Sequence, residues 1–575
     1  MDIKKTLLWV IFSMACLMLY NNWLLHAGRP TLFGTTGAQQ AEPKDTALTT
    51  TPKNDLPAQV SANSISKTPS QVIASPTNIA GEKFNLRNDV LSVDISSAGG
   101  SVVGATLLTA LDHNKNPIVL FRTDLKNQYF ARSGLISSST SDLPNHTVLF
   151  ALVKNNKSEN GSQELTLSSE KGGIRLDKTF ILKKGSYELL VEHKITQAAS
   201  KGEAPNVVLY TEIVRDGNTP TAHSGEKPST AENFYSTFTG PSFYTEKDKF
   251  VKVEFSELEK NKFIPPKAAP TGEPAWIAMV QHYFASAWIP NDKIARDIYA
   301  GKLEQNLYRI GMQMPIPALT PNAPYLEKTR LFMGPQEEKL LEKIAPGFDL
   351  IKDYGYLTVL AKPIFWLLEK INVYVSNWGW SIVLLTVLIK LVFFPLSAAS
   401  YKSMARMKEV QPRLMAMREQ YKGDPQKLNQ AMMEMYKKEK INPLGGCLPV
   451  VVQIPVFIAL YWVLLSSVEM RNAPWIGWIH DLSSPDVFFG TIPGIDMPIG
   501  ILPIVMAISM FIQTKLNPTP PDPIQAKVML YMPIIFSAMF FFFPSGLVLY
   551  WVVNNILSIA QQWQINKMFG KSQKK

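Results

Sequence analysis

The sequence predicts a polytopic α-helical membrane protein of six spans that carries a large exported β-sandwich domain. Three observations predict it. The C-terminal third is dominated by apolar runs long enough for membrane helices and almost free of charge. Between residues 82 and 335, apolar residues instead alternate with polar ones in short stretches separated by Gly, Asn and Asp. Lys and Arg gather beside the apolar runs on one common side, which fixes the direction in which each run crosses.

At 575 residues the chain is too long for one compact domain, and its 46% hydrophobic content averages two unlike halves. The net charge of +11 sits next to apolar spans, which suggests membrane topology and contact with anionic lipid of the bilayer. No sequence-specific binding of nucleic acid is expected. Cys16 and Cys447 both fall in apolar stretches, so no disulfide framework or cysteine-based zinc site is expected between them. The histidines are scattered without a His-x-x-x-His pair, and no metal or other cofactor is expected.

Taken in order, residues 1–27 read as a first span. Lys4 and Lys5 precede an apolar run longer than the core of a usual signal peptide. No small-x-small site follows Tyr20-Asn21-Asn22-Trp23, so the run is read as a signal anchor with its start in the cytoplasm. Ser13-Met14-Ala15-Cys16 lacks the aliphatic residue that would begin a lipoprotein box. Residues 28–81, rich in Thr, Pro, Ala, Gln and Ser, are a disordered linker.

Residues 82–350 form the exported domain. Alternation marks strands over residues 90–95, 101–108, 164–167, 175–182 and 187–195, with Gly99-Gly100 and Lys183-Lys184-Gly185 as turns. Residues 276–288 read as a buried strand pair, and residues 336–344 as a short helix that closes the domain. No paired-carboxylate, triad or metal spacing stands out, which favours a scaffold domain.

Residues 351–376 are an amphipathic interfacial helix, with Leu360, Ile364, Leu367, Leu368 and Ile371 on one face. Residues 377–398 are the second span. Residues 399–442 form a basic cytoplasmic helical hairpin, turning at Lys422-Gly423-Asp424-Pro425 with Asp as N-cap and Pro at N1. Its apolar positions are largely Met, which suits either a repacking partner surface or the mutual packing of its two helices. Further spans are residues 443–468, 498–514, 528–543 and 544–565. The loop 469–497 is exported and the loop 515–527 cytoplasmic. A basic cytoplasmic tail, 566–575, completes a topology with both termini inside.

Within the second span stands Lys390. About ten residues separate it from Trp380 on one side and from the polar run at Ser400 on the other. At ~1.5 Å per residue that is ~15 Å each way, half of a ~30 Å hydrocarbon core. A charge there costs at least ~2.5–3.5 kcal/mol on insertion scales, which marks a functional residue. The other spans after it hold no Asp or Glu, so no counter-ion is available within them. An ammonium without one needs water or polar groups around it. Thr386 lies one turn earlier on the same face, and Gln453, Asn554, Asn555 and Ser558, with Gln561 a turn on, are polar residues of other spans. Together they would line a hydrated, basic groove inside the bilayer. Pro395, Pro449, Pro455, Pro503, Pro533 and Pro544 recur in or beside these spans, and a loosely packed bundle around a cavity tolerates such breaks.

Three stretches carry a resemblance. They are Asn442-Pro443-Leu444-Gly445-Gly446-Cys447-Leu448-Pro449, Trp478-Ile479-His480-Asp481-Leu482-Ser483 and Phe543-Pro544-Ser545-Gly546-Leu547-Val548-Leu549-Tyr550. They resemble signature stretches of the YidC/Oxa/Alb family of membrane-protein insertases. The likeness is specific from Asn377 onward and looser in the exported domain, where residues 276–290 match best. The long exported domain resembles the Gram-negative form, which implies an inner-membrane location and a periplasmic β-supersandwich akin to sugar-mutarotase domains. The resemblance also implies a five-helix core around a hydrophilic groove with one cationic residue, usually arginine. Here Lys390 stands at that position and loses the bidentate fork of arginine. Thr386, Gln453, Tyr550, Asn554, Asn555 and Ser558 would line the groove with it.

The implied activity is insertion and folding of nascent membrane proteins, alone or with the Sec translocon, with no nucleotide, metal or catalytic residue. Arg406, Lys408, Arg413 and Arg418 of the hairpin, with Lys571, Lys574 and Lys575 of the tail, would meet the ribosome or the signal recognition particle receptor. A transporter would instead show repeated halves and a coupling carboxylate, and neither is found. An enzyme acting on sugar through the β-domain would need a carboxylate or metal constellation, which is not apparent.

Overall fold

The computed structural model describes residues 56–57, 81–112, 115–124, 127–157, 161–197, 205–218, 237–321, 323–421, 423–439, 448–492, 497–517 and 523–572. The first span, most of the linker and both Lys574 and Lys575 lie outside the described residues, as does the stretch from Asn442 to Cys447. The described residues fall into two units, 56–352 and 353–572.

The first unit is two antiparallel sheets packed face to face. One has eight strands. It runs as a meander through β1 (Lys83–Arg87), β2 (Leu91–Ser96), β3 (Ser101–Leu111), β4 (Pro117–Thr123) and β5 (Gln128–Ile136). It then adds β10 (Val208–Asp216), β16 (Leu307–Pro315) and β15 (Asp297–Glu304). The other sheet has nine strands. Its order begins β12 (Lys249–Lys252), β11 (Gly240–Thr245), β13 (Ala275–Val280), β14 (Phe284–Pro290). It continues with β17 (Tyr325–Pro335), β9 (Glu188–Gln197), β8 (Ile174–Leu182), β7 (Gln163–Lys171) and β6 (Ala151–Lys157).

The alternation in β8 and β9 places Leu176, Phe180, Leu189, Val191 and Ile195 in the core. By contrast, β13 and β14 are buried at every position, because both of their faces are covered. On the outer face lies α2 (Glu338–Ile344), which follows α1 (Phe255–Glu259) in the chain. Leu341, Ile344 and Phe348 pack there on Trp276, which also stacks on Tyr244 at 5.6 Å between ring centroids.

Buried polar groups that the sequence did not disclose lie on both faces of the eight-stranded sheet, the Glu212 group on the face turned away from the other sheet. Glu212 on β10 is fully buried, and Arg132 on β5 donates to it in a close ion pair. Tyr299 Oη donates to the same carboxylate at 2.9 Å, and Arg309 lies 3.8 Å away. Burial alone would raise the Glu212 carboxyl, but the Arg132 and Arg309 guanidiniums overcome it and hold it below its ordinary value. Between the sheets, Lys178 Nζ donates to the carbonyls of Gly99 at 2.6 Å and Ser133 at 2.7 Å. Burial lowers the Lys178 ammonium to about 7.

His193 Nε2 pairs with Ser133 Oγ at 2.9 Å, and burial, aided by the Lys178 charge, lowers the imidazole to about 3. Below ~6.5 the unfolded chain takes up a proton that the folded imidazole refuses. The stability this residue contributes is therefore whole above ~6.5 and lost as pH falls toward the folded value, by at most ~1.4 kcal/mol per pH unit. His193→Gln keeps a hydrogen-bonding side chain without the titration. Urea unfolding of the β-unit, followed from neutral pH to acid, should give a shallower slope for His193→Gln. Parallel slopes would contradict the assignment.

The second unit is helical: α3 (Thr358–Val375), α4 (Trp378–Val392), α5 (Phe394–Gln420), α6 (Pro425–Lys438), α7 (Leu448–Ser466), α8 (Ile501–Leu516), α9 (Pro523–Phe540) and α10 (Ser545–Ser572). The last helix is its hub, packing on α4, α5, α7 and α8. Ile382, Leu385, Ala459, Val463, Leu547 and Val548 are at the centre of the shared core.

The apolar run over residues 378–396 is not one straight helix. It breaks at Phe393, and α4 and α5 meet at 67°. Pro395 explains the break, because its ring excludes the carbonyl four residues back and restricts Phe394 before it. Lys390 thus stands in the last turn of α4 instead of mid-helix. Among the described residues no single helix is long and apolar enough to cross a membrane, but the bent pair α4–α5 passes that test together.

The buried residues of α3 are Ala361, Phe365 and Leu368; of the face read from the sequence, Leu368 is buried and Ile364, Leu367 and Ile371 pack partly buried against the core. Leu360 is exposed, and so are Val359, Trp366, Val373 and Tyr374, so α3 carries a second apolar face. In the hairpin, Asp424 accepts the Lys427 amide at 3.1 Å and caps α6. Its methionines divide. Met407, Met417, Met432 and Met435 pack around Val410 and Leu414, while Met415 and Met433 are exposed.

Candidate functional site: a polar stripe inside an apolar bundle

The site is built on α4 and α10. Asn377 caps α4, its side chain accepting the Trp380 amide at 3.1 Å. From there α4 has two faces. Leu384, Leu388 and Leu391 are exposed at helical spacing, while Ser381, Thr386 and Lys390 are buried. Polar side chains inside and apolar ones outside invert the pattern of a water-soluble bundle.

On α10, Tyr550, Asn554, Ser558 and Gln562 recur every four residues and all are buried. They make a polar stripe ~18 Å long at ~1.5 Å per residue. Lys390 Nζ donates to Ser558 Oγ at 2.7 Å, and Ser558 in turn donates to the Asn554 carbonyl at 2.7 Å. Among the described residues Ser558 is the one hydrogen-bond partner of Lys390, which is only 8% exposed. Neither α4, α7, α8, α9 nor α10 contains an Asp or Glu. The ammonium therefore meets a neutral hydroxyl and keeps donors for another acceptor.

The stripe gathers side chains from neighbouring helices. Gln453 of α7 donates to Asn554 Oδ1 at 2.5 Å. Asn555 Nδ2 donates to Ser509 Oγ of α8 at 3.1 Å. Thr386 is buried beside Lys390 but donates to the Ile382 carbonyl of its own helix at 2.7 Å. Tyr550 stacks on Phe457, their ring centroids 6.4 Å apart. Two members were missed from the sequence. Ser509 is the lone serine of α8, and Gln562, one turn beyond Ser558, reaches the Leu516 carbonyl at 3.3 Å. The four-residue spacing pointed to Gln562, whereas Gln561 beside it is only half-buried.

The cationic residues named for the hairpin lie elsewhere. Arg406, Lys408 and Arg413 are exposed on α5, and Arg413 pairs with Glu439 at 2.8 Å, tying the hairpin together. Arg418 is half-buried. The side chain of Lys571, like Lys574 and Lys575, is outside the described residues.

Two of the recognisable motifs prove to be structural staples. Asp481 accepts the amides of Asn472 at 3.1 Å and Ser483 at 2.8 Å. The start of α10 is then pinned to this loop. Ser545 N donates to Ser484 O at 2.8 Å, and Gly546 N to Leu482 O at 2.9 Å. A Cβ on Gly546 would sit 3.1 Å from that same carbonyl, so the approach favours glycine. Gly379 answers a similar need on α4, since a Cβ there would run into the Trp475 ring.

Fold and stripe together define a helical unit with exposed apolar faces and a charged, polar interior track, joined in one chain to a β-sandwich unit. Comparison with known proteins makes this specific. The model of the 60 kDa inner membrane protein family matches residues 370–573, and that of the YidC periplasmic domain matches residues 83–367. The membrane protein insertase YidC of Polynucleobacter necessarius is 62% identical over 573 residues, covering 99% of each chain. That of Cupriavidus necator is 53% identical over 577 residues, covering 99% of this chain and 98% of its own. A crystal structure of an active YidC insertase with its first transmembrane domain resolved aligns at 18% identity and a TM-score of 0.37, over 84% of this chain and 92% of that one. The chain belongs to the YidC family of membrane protein insertases. It is an inner-membrane protein with a periplasmic β-domain, and an insertase and not an enzyme.

Proposed function

We propose that this insertase works by offering Lys390 and the polar stripe of α10 to the hydrophilic segments of nascent inner-membrane proteins. The observation that carries the reading is the pairing of Lys390 with the neutral Ser558 Oγ at 2.7 Å, with no carboxylate in α4, α7, α8, α9 or α10. A charge left without a counter-ion attracts one. An acidic segment entering the track exchanges water for the ammonium and the amides of Gln453, Asn554 and Asn555, which lowers its desolvation barrier. The apolar segment then leaves into lipid, and its burial drives the process.

In this reading the chain has six spans with both termini in the cytoplasm, and α3 lies along the periplasmic interface. The second apolar face of α3, with Trp366 and Tyr374 exposed, supports that placement. The basic hairpin receives nascent chains near the ribosome or the signal recognition particle receptor, helped by the C-terminal tail. Its exposed Arg406 and Lys408 support this. Some substrates arrive from the Sec translocon.

The test is a substrate series that differs only in the number of acidic residues in its exported segment, inserted into proteoliposomes. The deficit of Lys390→Ala relative to the native protein should widen with each added acid. A deficit that is constant across the series would overturn the electrostatic role.

A further inference from the structure

The loop between α7 and α8 is built inside out. At its tip the carboxylate of Asp486 is 4% exposed, while Val487, Phe488 and Phe489 beside it are 54%, 51% and 60% exposed. Asp486 Oδ2 accepts the Leu502 amide at 2.9 Å and Trp478 Nε1 at 3.2 Å, and Oδ1 accepts the Phe488 amide at 3.2 Å. The acid is thus spent on the loop's own backbone and on the start of α8. The apolar tip is also held firmly from behind. Phe489 N donates to Ile499 O at 2.9 Å, and Thr491–Ile492 pairs with Met497–Pro498. An arrangement that turns its charge inward and its phenylalanines outward suits an apolar surrounding.

Two further observations say which surrounding. The loop lies at the Trp380 end of the bundle, where Trp380 meets Trp475 at 5.7 Å and Trp478 meets Phe488 at 5.5 Å between centroids. Such aromatic clusters mark the membrane–water boundary. The tip is also tied through Asp486 to the first turn of α8, whose exposed Ile504, Ile508, Phe511 and Ile512 form an apolar surface suited to lipid in an inner-membrane protein. We infer that Val487, Phe488 and Phe489 form a rigid wedge that enters the periplasmic leaflet of the bilayer at the depth of the lipid headgroups and upper acyl chains. The wedge anchors the periplasmic end of α8 and α10, since the same loop is pinned to Ser545 and Gly546. This does not depend on how Lys390 acts.

The test uses the full chain with Cys16→Ser and Cys447→Ser, carrying a single nitroxide at Phe488→Cys or, as reference, at His480→Cys. His480 is exposed on the same loop. The protein is reconstituted into vesicles of phosphatidylethanolamine and phosphatidylglycerol, and collisions with oxygen and with a water-soluble nickel chelate are measured. The label at 488 should favour oxygen over nickel several-fold more than the label at 480. Equal ratios at the two positions would place the tip in water and overturn the inference. So would a 488 label reached by neither reagent, which would mean that protein covers it.

Discussion

Replacing Lys390 by glutamate removes insertion of substrates whose exported segment is acidic, and replacing it by arginine retains it. The expectation follows from what surrounds the residue. Lys390 donates to one neutral hydroxyl at 2.7 Å, and α4, α7, α8, α9 and α10 contain no acid to neutralise it. A unit charge pair ~4 Å apart at an effective dielectric of ~20 is worth ~4 kcal/mol. Reversing the sign turns that attraction into repulsion, so a loss of at least about a hundredfold, or ~2.7 kcal/mol, is a modest demand. Arginine preserves the charge and adds a fork that a point-charge mechanism does not use. The measurement is the fraction of an acidic substrate protected from external protease in proteoliposomes. Full insertion by Lys390→Glu would remove the electrostatic part of the account, and failure of Lys390→Arg would show that the shape of the cation matters.

The second large effect belongs to the β-unit. Glu212→Leu takes away the carboxylate that Arg132, Tyr299 and Arg309 share. It leaves Arg132, 6% exposed, as a buried charge without the Glu212 carboxylate. Breaking such a pair from one side costs ~3–5 kcal/mol, whereas replacing both members by apolar residues is often neutral. Glu212→Leu should therefore lower the melting of the β-unit sharply, and Arg132→Met with Glu212→Leu should recover most of the loss. A double variant no more stable than the single one would mean that the charges do not act as a pair. Insertion itself should be less affected, since none of the stripe residues lies in this unit.

Much of this architecture was legible because local patterns coincide with burial. The period-two runs at residues 90–95 and 175–182 mark β2 and β8 because one face of each is core and the other is not. The turn at Gly423-Asp424-Pro425 was readable because Asp424 caps through its own side chain. The stripe on α10 could be found because amides and hydroxyls stand out against Leu, Val and Ile.

What escaped reading escaped for physical reasons. In β10 both faces are covered, so Glu212 and Arg215 break no visible alternation, and their partners come from strands distant in sequence. The break at Phe393 was hidden because the apolar run continues past Pro395 without a change of composition. The pinning of α10 depends on Ser484 and Leu482 carbonyls, which no side chain announces. The recognisable motifs at Asp481 and Pro544 carried the resemblance, yet their observed work is to hold the loop and the last helix together.

The most direct measurement is photo-crosslinking from the stripe to a ribosome-stalled nascent membrane protein. A photoreactive residue placed at Ser558 or Gln453 should label the hydrophilic segment of the substrate while it is in transit. One placed at Leu388, on the exposed apolar face of α4, should label the apolar segment or lipid. Labelling of the hydrophilic segment from Leu388, with none from Ser558 and Gln453, would contradict passage along the stripe.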